Sequence, residues 1–290
     1  MINLLKQEIS PSTGKHYPVD LILRICGLSS AAWYKNNNRS EQKKRGRKPS
    51  VPDNLIQEAI RSDIACSKFN SEGYKKIHKR IRRTTKVGRN RIYRIMRENN
   101  LLTSTRAKAV KQKIHDGNIK TSKPNEMWAT DGKKFYVQGY GWCWFFGIID
   151  HYNDEIISWH CAKKGDRFAA MEPVRKAVKK VFGNIEKNVC LKTGLSLRSD
   201  HGSQYDSNDF QNEMKYLGLK LSPAYVRSPE CNGIIERFHR TLQEQIFDIY
   251  TFNTIEEAEI KIGEFIEHYN NEWLIHRLGL RSPLEYKKMA

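Results

Sequence analysis

Three carboxylates stand at separate places in this 290-residue chain, and their spacing suggests a chemical role. Thirty-five residues separate Asp200 from Glu236, and Asp131 lies further upstream in an apolar stretch. Carboxylates delivered from separate elements can hold two divalent cations side by side, and such a pair can displace an oxygen at a phosphodiester. The three residues are therefore predicted catalytic and metal-binding residues of an enzyme that cuts and joins nucleic acid.

Chance must be weighed against this interpretation, because the chain has 32 acidic residues. Asp131 could be a turn residue, Asp200 could simply end a strand, and Glu236 could be a solvated helix charge. Local sequence favours catalysis: Trp128 and Phe135 flank Asp131, and a polar turn with a glycine follows Asp200. Apolar neighbours predict a half-buried Glu236, where an unpaired carboxylate would be costly. The rival carboxylates are Asp150, which could support the site from behind, and Asp154, Glu230 and Glu244.

The residues from 126 onward predict the elements that position these carboxylates. Three stretches rich in Ile, Phe, Trp and Tyr predict successive strands, MWATDGKKFYV, WCWFFGIIDHY and EIISWHC. Further strands are expected over about 191–198 and 219–221, and helices over about 168–182, over about 209–216 and from about 231. This order predicts an α/β fold with a mixed sheet flanked by helices. Asp200 then ends a strand, where such sheets gather ligands.

The last of these helices carries polar residues beside Glu236. They lie at helical offsets that share or border its face, and we assign them to the DNA backbone next to the active site. They are Asn232, His239, Arg240 and Gln243. His239 could equally be a residue of the helix surface.

Charge is divided between two parts of the chain. Residues 1–125 carry 29 Lys and Arg against 9 Asp and Glu, a net +20, whereas residues 126–290 carry 22 against 23, a net −1. This split indicates that the first part binds a polyanion, most simply DNA or RNA. A membrane is the competing partner, but no stretch is long and apolar enough to span one. Without an evident signal peptide, the protein is expected to be soluble and intracellular.

Residues 16–35, HYPVDLILRICGLSSAAWYK, predict two short helices. An apolar run is followed by Cys-Gly-Leu, and Ser29 or Ser30 can then cap the second helix. A glycine in the turn and a serine opening the second helix are typical of a helix-turn-helix. An ordinary helical hairpin has the same pattern, so both interpretations stand.

A second helical module is predicted downstream, with helices over about 53–61, 74–82 and 89–99. The last helix has an apolar face of Ile92, Ile95 and Met96. Arginines on its other faces predict DNA contacts from a recognition helix, although a solvated basic face would have the same pattern. These arginines are Arg89, Arg91, Arg94 and Arg97.

Two polar segments connect the modules. The stretch RSEQKKRGRKPS, residues 39–50, has no apolar side chain and predicts a flexible linker. Its Arg-Gly-Arg could also enter an AT-rich minor groove, in the manner of an AT-hook, through Arg45, Arg47 and Lys48. A basic connector near 103–125 is expected to contact phosphates rather than bases.

The cysteines argue against a disulfide or zinc framework. They never approach a CxxC spacing, which predicts reduced and mostly buried thiols. His16 and His78 lack partners at the short spacings that a structural zinc site needs. The six are Cys26, Cys66, Cys143, Cys161, Cys190 and Cys231.

Several segments carry a family resemblance. They are WATD at 128–131, SDHGSQY at 199–205, NGIIERFHRTLQEQ at 232–245 and YNNEWLIHRLGLRSPLEY at 269–286, with EGYKKIHKRI and GRNRIYRIMRENNLL upstream. In these segments, which cover most of residues 16–286, the chain resembles an insertion-sequence transposase of the DDE superfamily, from the bacterial family whose OrfB-type subunit resembles retroviral integrase. Many relatives have Arg-Pro-His after the final Tyr-Asn, where this chain has Glu272 to His276. That segment could contact DNA or close the core through Trp273 and Leu274.

The resemblance implies an RNase H-like core in which Asp131, Asp200 and Glu236 bind two Mg²⁺ ions, or Mn²⁺ in their place. With water as the nucleophile such a site nicks the terminal repeats of the element, and with the resulting 3′-hydroxyl it joins them to target DNA. The resemblance also implies at least a homodimer on double-stranded DNA, a possible partner or fusion from an upstream reading frame, and a place at the nucleoid in the bacterial cytoplasm.

The predicted organisation has six parts: a helix-turn-helix (1–38), a basic linker (39–52), a second helix-turn-helix (53–102), a basic connector (103–125), an RNase H-like integrase core (126–250) and a C-terminal helical extension of the core (251–290). Two other classes of function remain open. A DNA-binding regulator with a relic core would bind element ends without metal-dependent cleavage, and an RNase H-like nuclease would hydrolyse DNA without joining it.

Overall fold

The computed structural model describes residues 2–37, 50–103, 121–222 and 232–289. It contains two compact units, Met1–Pro52 and Asp53–Ala290. The first unit is helical and packs Ile2, Ile22 and Leu23 together. Its helices are α1 (Ile2–Leu5), α2 (Val19–Ile25) and α3 (Ser30–Asn37). The turn after α2 includes Gly27, whose φ of +66° suits glycine, so the predicted helix pair is confirmed at this place in the chain.

The second unit begins with a three-helix module. Its helices are α4 (Asp53–Cys66), α5 (Tyr74–Ile81) and α6 (Arg89–Glu98). Ile60, Ile77, Ile92 and Met96 are almost completely buried between them, which confirms the apolar face predicted for α6. Helix α4 ends at Cys66 and is therefore longer than the predicted span, which stopped near residue 61.

A five-stranded sheet follows, in the order β3-β2-β1-β4-β5. The first three strands form an antiparallel meander, and β4 and β5 add in parallel beside β1. The strands are β1 (Met127–Val137), β2 (Gly141–Asp150), β3 (Ile156–Ala162), β4 (Ser196–Arg198) and β5 (Lys220–Leu221). This arrangement is the predicted mixed sheet, and β1 lies at its centre.

The strand predicted over 191–198 is largely wrong. Leu191–Thr193 form a 3-10 turn, and only Ser196–Arg198 pair with β1. Gly194 has a φ of +66°, which is left-handed and cannot continue an extended strand. The apolar pattern there reflects burial of Cys190 and Leu195 rather than strand pairing.

Helices cover both faces of the sheet. Alternate residues of β1 point to opposite sides, and apolar residues on each side pack against helices. Trp128 packs in one apolar cluster with α7 (Arg167–Phe182) and α9 (Asn208–Leu217), while Ala129 and Phe135 pack in another with α10 (Gly233–Leu242). The remaining helical elements are α8 (Ser203–Asp206), a π-helical turn (Gln243–Phe247), α11 (Ile255–Glu272) and α12 (Pro283–Lys287). Among the described residues, no helix has both the length and the apolar character needed to span a membrane.

The C-terminal segment and the three-helix module are tied to the core. Phe69 and Trp273 stack edge to face at 4.8 Å, and the Lys76 ammonium lies 2.9 Å from the Trp273 ring centroid. Leu274 is buried, so the segment from Glu272 to His276 does close the core, as one of the two sequence interpretations expects. Of the described cysteines, Cys143, Cys161 and Cys190 are buried thiols and Cys66 is exposed, while Cys231 lies outside the described residues.

Candidate active site

Asp131 and Asp200 are brought together by the parallel pairing of β1 with β4. The register pairs Trp128 with Leu197 and Ala129 with Arg198. Carried two residues further, the same register places Asp131 opposite Asp200, just beyond the end of β4. Neighbouring strands lie about 4.8 Å apart, so two carboxylates at such positions feel each other's charge.

Electrostatics agrees with this placement. Burial raises the pKa of Asp200 above its ordinary value, the Gly202 N–H lowers it by donating to Oδ1 at 3.1 Å, and the charge of Asp131 raises it again. Asp131 Oδ1 accepts a hydrogen bond from the Gly132 N–H at 2.8 Å. The two aspartates therefore form an anionic pair whose repulsion a bound cation would relieve.

Helix α10 is held against β1 at the same point. Asn232, at its N-terminus, donates from Nδ2 to the Thr130 carbonyl at 3.4 Å. One turn beyond Glu236, His239 Nδ1 lies 3.4 Å from Asp131 Oδ2. Glu236 stands one turn after Asn232 and one turn before His239, so it shares the helix face that these two residues turn toward β1.

Glu236 itself is exposed, which corrects the expectation that it is half-buried. The apolar neighbours Ile235 and Phe238 occupy a different face of α10 and enter the core, so the carboxylate is not enclosed by them. Among the described residues, no group of three or more His, Cys, Asp or Glu side chains is gathered closely enough to hold a metal. The structure thus brings Asp131 and Asp200 together and places Glu236 on the face of α10 that borders them. The three carboxylates do not form a closed cluster.

Two buried polar atoms on this face lack hydrogen-bond partners among the described residues. They are Asn232 Oδ1 and His239 Nε2. Buried polar atoms without partners are rare in folded proteins and point to a partner that binds there. Both residues were predicted to contact DNA, but their side chains are buried, and each reaches β1.

Three further residues of the site were not singled out from the sequence. Lys133 follows Asp131 on the same side of β1; burial lowers the pKa of its amine, while the charges of Asp248 and Asp131 raise it. Thr130 Oγ1 and the Tyr205 hydroxyl lie 3.5 Å apart beneath the two aspartates. Burial raises the pKa of Tyr205 well above its ordinary value. The two-residue periodicity of β1 could have revealed Lys133, whereas the tyrosine contact depends on tertiary packing.

Two of the four rival carboxylates, Asp150 and Asp154, have structural roles. Asp150 is buried and accepts hydrogen bonds from the Asn125 and Tyr152 N–H groups, each at 2.8 Å, so it organises a turn. Asp154 forms an ion pair with Arg277 at 2.5 Å. Glu244 lies on the π-helical turn, and Glu230 is outside the described residues.

The predicted DNA contacts of α6 differ among themselves. Arg91 and Arg94 both pair with Asp53 at 2.5 Å, and Arg94 also pairs with Glu98 at 2.8 Å. Their hydrogen bonds lower the pKa of Asp53. Arg89 and Arg97 are exposed. Arg45, Arg47 and Lys48 lie outside the described residues.

On α10, Arg240 is exposed. The Gln243 amide donates from Nε2 to Asp248 Oδ1 at 2.6 Å, so this donor already has a partner on the protein surface. DNA contact by either residue stays a prediction.

Comparison with known families gives three matches. Two integrase core domain models match residues 121–229 and 217–283, and an HTH-like domain model matches residues 53–109. The first integrase match contains Asp131 and Asp200, and the second contains Glu236. The HTH-like match covers the three-helix module.

Curated relatives agree with these matches. Transposase InsD for insertion element IS2A/D/F/H/I/K of Escherichia coli is 28% identical over 277 residues, covering 92% of this chain and 90% of that protein. The insertion element IS2A uncharacterized 48.2 kDa protein of Escherichia coli is 27% identical over 286 residues, covering 96% of this chain. The chain spans 66% of the length of that second protein.

Solved structures with low identity also align. The HTLV-2 integrase catalytic core domain in complex with magnesium has a TM-score of 0.41 at 15% identity, over 57% of this chain and 97% of that one. A chain of the simian T-cell lymphotropic virus intasome with PP2A regulatory subunit B56 gamma has a TM-score of 0.48 at 14% identity, over 79% of this chain and 74% of that one. The family models and the curated relatives together show a chain with an integrase core domain behind an HTH-like domain, similar over most of its length to insertion-element transposases.

Proposed function

We propose that this protein binds the terminal repeats of an insertion element, nicks them to expose 3′-hydroxyls and joins those ends to target DNA. The observation that carries the proposal is the pairing of Asp131 with Asp200 beside the face of α10 that bears Glu236. A transposase or integrase role follows from the family, and the reaction steps are the proposal.

The donor chemistry fits divalent cations. Carboxylate oxygens are the ligands that Mg²⁺ and Mn²⁺ prefer, and the adjacent aspartates repel each other until positive charge is supplied. We propose that Asp131, Asp200 and Glu236 hold two such ions. When bound, these ions supply Lewis-acid activation of the attacking oxygen and charge neutralisation of the departing oxygen.

The protein's own residues fix the carboxylates. With Nδ1 as donor, His239 holds Asp131 Oδ2, while the Gly132 N–H holds Oδ1. The Gly202 N–H orients Asp200 in the same way. We therefore propose His239 as a positioning residue rather than a direct contact to DNA.

The proposed reaction consists of two in-line displacements. In the first, a water oxygen bonds to phosphorus, the P–O3′ bond breaks, and the element end keeps its 3′-hydroxyl. In the second, that hydroxyl oxygen bonds to a phosphorus of the target strand, whose own 3′-oxygen leaves. Each step makes and breaks one P–O bond, so no covalent enzyme intermediate is required.

The proposed partner is double-stranded DNA, both as element end and as target. Because two ends are joined in one event, we propose at least a homodimer in the DNA complex, with a product of an upstream reading frame as a further partner or fusion. This function places the protein at bacterial DNA, in the nucleoid.

One assay distinguishes the classes of function. The protein is incubated with a labelled element end, Mg²⁺ and a target plasmid, and the products are separated on denaturing and native gels. Nicked ends together with joined plasmid are expected. Metal-independent binding without cleavage would identify the protein as a DNA-binding regulator. Nicking without joined products would identify it as a nuclease.

A further inference from the structure

A basic groove of about 1380 Å³ lies between the three-helix module and the C-terminal segment. One wall consists of α5 and the turn that leads into α6, and the other consists of residues 276–289. The first wall includes Arg91, which pairs with Asp53 at 2.5 Å. Its other cationic side chains are Lys75, Lys79, Arg82, Arg83, Lys86 and Arg89. All of them are exposed except Lys79, which is partly buried.

These cations are mostly left without counter-charges. Arg83 pairs with Glu285 across the groove at 3.2 Å, and both side chains are largely exposed. The other five form no ion pair within the part of the chain that the structure describes. Burial lowers the pKa of His276 on the opposite wall, and the charges of Lys75 and Lys76 lower it further, as expected in a positive field.

Two arginines of α6 contrast with these unpaired cations. Arg91, at the edge of the groove, and Arg94 are held by Asp53, and Arg94 is also held by Glu98. Cations that already have carboxylate partners gain less from phosphate, because the existing pairs must be broken first. The stronger attraction for a polyanion therefore lies on the α5 side of the module.

The spacing on α5 suits a regular array of charges. Lys75, Lys79 and Arg82 follow one another at intervals of four and three residues, so they form a stripe along one face of the helix. At 1.5 Å per residue, the stripe is about 10 Å long. That length corresponds to roughly three phosphates of one strand, measured along a duplex axis with a rise of about 3.4 Å.

The two walls are fixed relative to each other. The Asn70 N–H donates to Gln245 Oε1 at 2.8 Å, and Gln245 Nε2 donates back to the Asn70 carbonyl at 3.0 Å. The contacts of Phe69 and Lys76 with Trp273 reinforce this junction. A groove built on a packed junction is preorganised, so a ligand loses little free energy in ordering it.

We infer that this groove binds the phosphate backbone of duplex DNA through the stripe on α5 and the turn before α6, and that α6 itself contributes less. The inference rests on the proposed function for its ligand and adds the surface that holds it. Residues 276–289 then complete a DNA-binding surface.

The test compares full-length variants with equal charge changes. Lys79→Gln with Arg82→Gln removes two positive charges from the groove, and Lys179→Gln with Lys215→Gln removes two from exposed positions on α7 and α9. Arg97→Gln removes one charge from the exposed side of α6 and is compared with Arg82→Gln alone. Binding of a labelled element end and of an unrelated duplex is measured at several salt concentrations, with thermal melting as the check on folding.

The groove variant is expected to bind both duplexes at least tenfold more weakly. The slope of log K against log salt should fall by about 0.9 for each phosphate that the variant no longer neutralises, or roughly 2 in all. The α7/α9 variant should change the slope by much less, and Arg97→Gln should weaken binding less than Arg82→Gln alone does. Equal effects of the groove and α7/α9 double variants, or a larger effect of Arg97→Gln than of Arg82→Gln, would overturn the inference.

Two additional measurements separate this inference from the proposed function. If the unaltered protein binds DNA through the groove but neither nicks nor joins it with Mg²⁺, the proposed function fails and the groove stands. If the unaltered protein nicks and joins while the groove variant binds normally, the groove inference alone fails. A groove variant that binds DNA normally but no longer binds poly-glutamate would assign the groove to an acidic protein partner and would also overturn the inference.

Discussion

The proposed role of the three site carboxylates depends on their negative charge. Substitutions that remove this charge and keep the side-chain size therefore test the role directly. Asp131→Asn, Asp200→Asn and Glu236→Gln each keep the side-chain size and remove one negative charge. We expect nicking and joining to fall by roughly three orders of magnitude, as when a catalytic group is removed. End binding, measured by gel shift, should remain within a few-fold of the unaltered protein.

Asp209→Asn is the matched control, since Asp209 is an exposed carboxylate paired with Arg167 on the protein surface. It should leave the single-turnover rate unchanged. Retention of strand transfer by Glu236→Gln would show that the third carboxylate of the site is a different residue.

Substitution of His239 should affect catalysis rather than DNA binding, because its ring contacts Asp131 and its side chain is only 8% exposed. His239→Ala should lower the single-turnover rate about 10- to 100-fold, the usual range for residues that orient metal ligands. It should also raise the Mg²⁺ concentration needed for half-maximal rate, with end binding unchanged. A variant that instead binds ends weakly, but reacts normally at saturation, would identify His239 as a DNA contact.

Asp150 and His151 predict opposing pH effects on stability. Burial lowers the pKa of His151 to about 4, with Arg198 and Arg277 lowering it further, and burial raises the pKa of Asp150 to about 6. Below its ordinary pKa near 6.5, His151 gains a proton more readily in the unfolded chain, so its contribution to stability is lost as pH falls. Asp150 gains its proton more readily in the folded chain and so favours folding as pH falls toward 4.

Replacing His151 shows how much of the loss of stability at low pH is due to this residue. At about 1.4 kcal/mol for each unit of pKa shift, protonation of His151 should lower the free energy of unfolding by about 2 kcal/mol between pH 7 and pH 5. His151→Gln should therefore lose about 2 kcal/mol less than the unaltered protein over that interval, measured by urea unfolding at both pH values. Equal losses in the two proteins would contradict burial of a neutral His151.

At the residue scale, the structure brings Asp131 and Asp200 together as the sequence predicted, but it differs from the prediction in the burial of Glu236. Asp131 and Asp200 were found because strand ends and turns leave a local signature. The burial of Glu236 was misjudged because apolar neighbours at adjacent helix positions project to a different face. Tyr205 escaped notice because its contact with Thr130 joins residues 75 positions apart.

At the scale of elements, strand β1 both packs in the core and carries Asp131 of the proposed site. A Cβ added at Gly132 would lie 2.6 Å from Cε1 of Phe146, which is fully buried. Gly132→Ala should therefore push β1 or Phe146 out of place and cost about 1–3 kcal/mol of unfolding free energy. Because Asp131 is the adjacent residue, the nicking rate should fall as well.

Gly233→Ala is the control for that substitution, since a Cβ there meets no atom within 4 Å. Differential scanning calorimetry and single-turnover nicking would be measured on both variants. Equal melting temperatures for Gly132→Ala and the unaltered protein would show that the sheet accommodates the extra methyl group.

Elements with strong periodicity were predicted well and irregular ones were not. The meander of β1, β2 and β3 is evident from its aromatic and β-branched residues, and α7 was placed to within one residue at its start. The segment before β4 was misread because buried residues of a 3-10 turn resemble a strand when only hydrophobicity is considered. The parallel pairing of β4 with β1, which creates the site, has no local signal at all.

At the scale of the whole molecule, the net positive charge and the carboxylates of the proposed site occupy different parts of the chain. The net +20 of residues 1–125 was visible in the sequence, as was the near neutrality of residues 126–290. The groove between α5 and residues 276–289 was not, because it depends on how the three-helix module packs against the core. If binding depends on the basic part of the chain and the reaction depends on the carboxylates, salt should affect the two differently.

Salt should weaken binding without slowing the chemical step. Binding that releases counterions from several phosphates falls steeply with salt; four contacts correspond to about a hundredfold loss of affinity between 50 and 200 mM. The proposed chemical step, by contrast, depends on contacts at bonding distance, which are much shorter than the screening length of about 8–10 Å and are therefore less sensitive to salt. We therefore expect the single-turnover nicking rate at saturating protein to change less than about threefold over the same interval. A rate that falls in parallel with affinity would mean that the basic part of the chain also takes part in the chemical step.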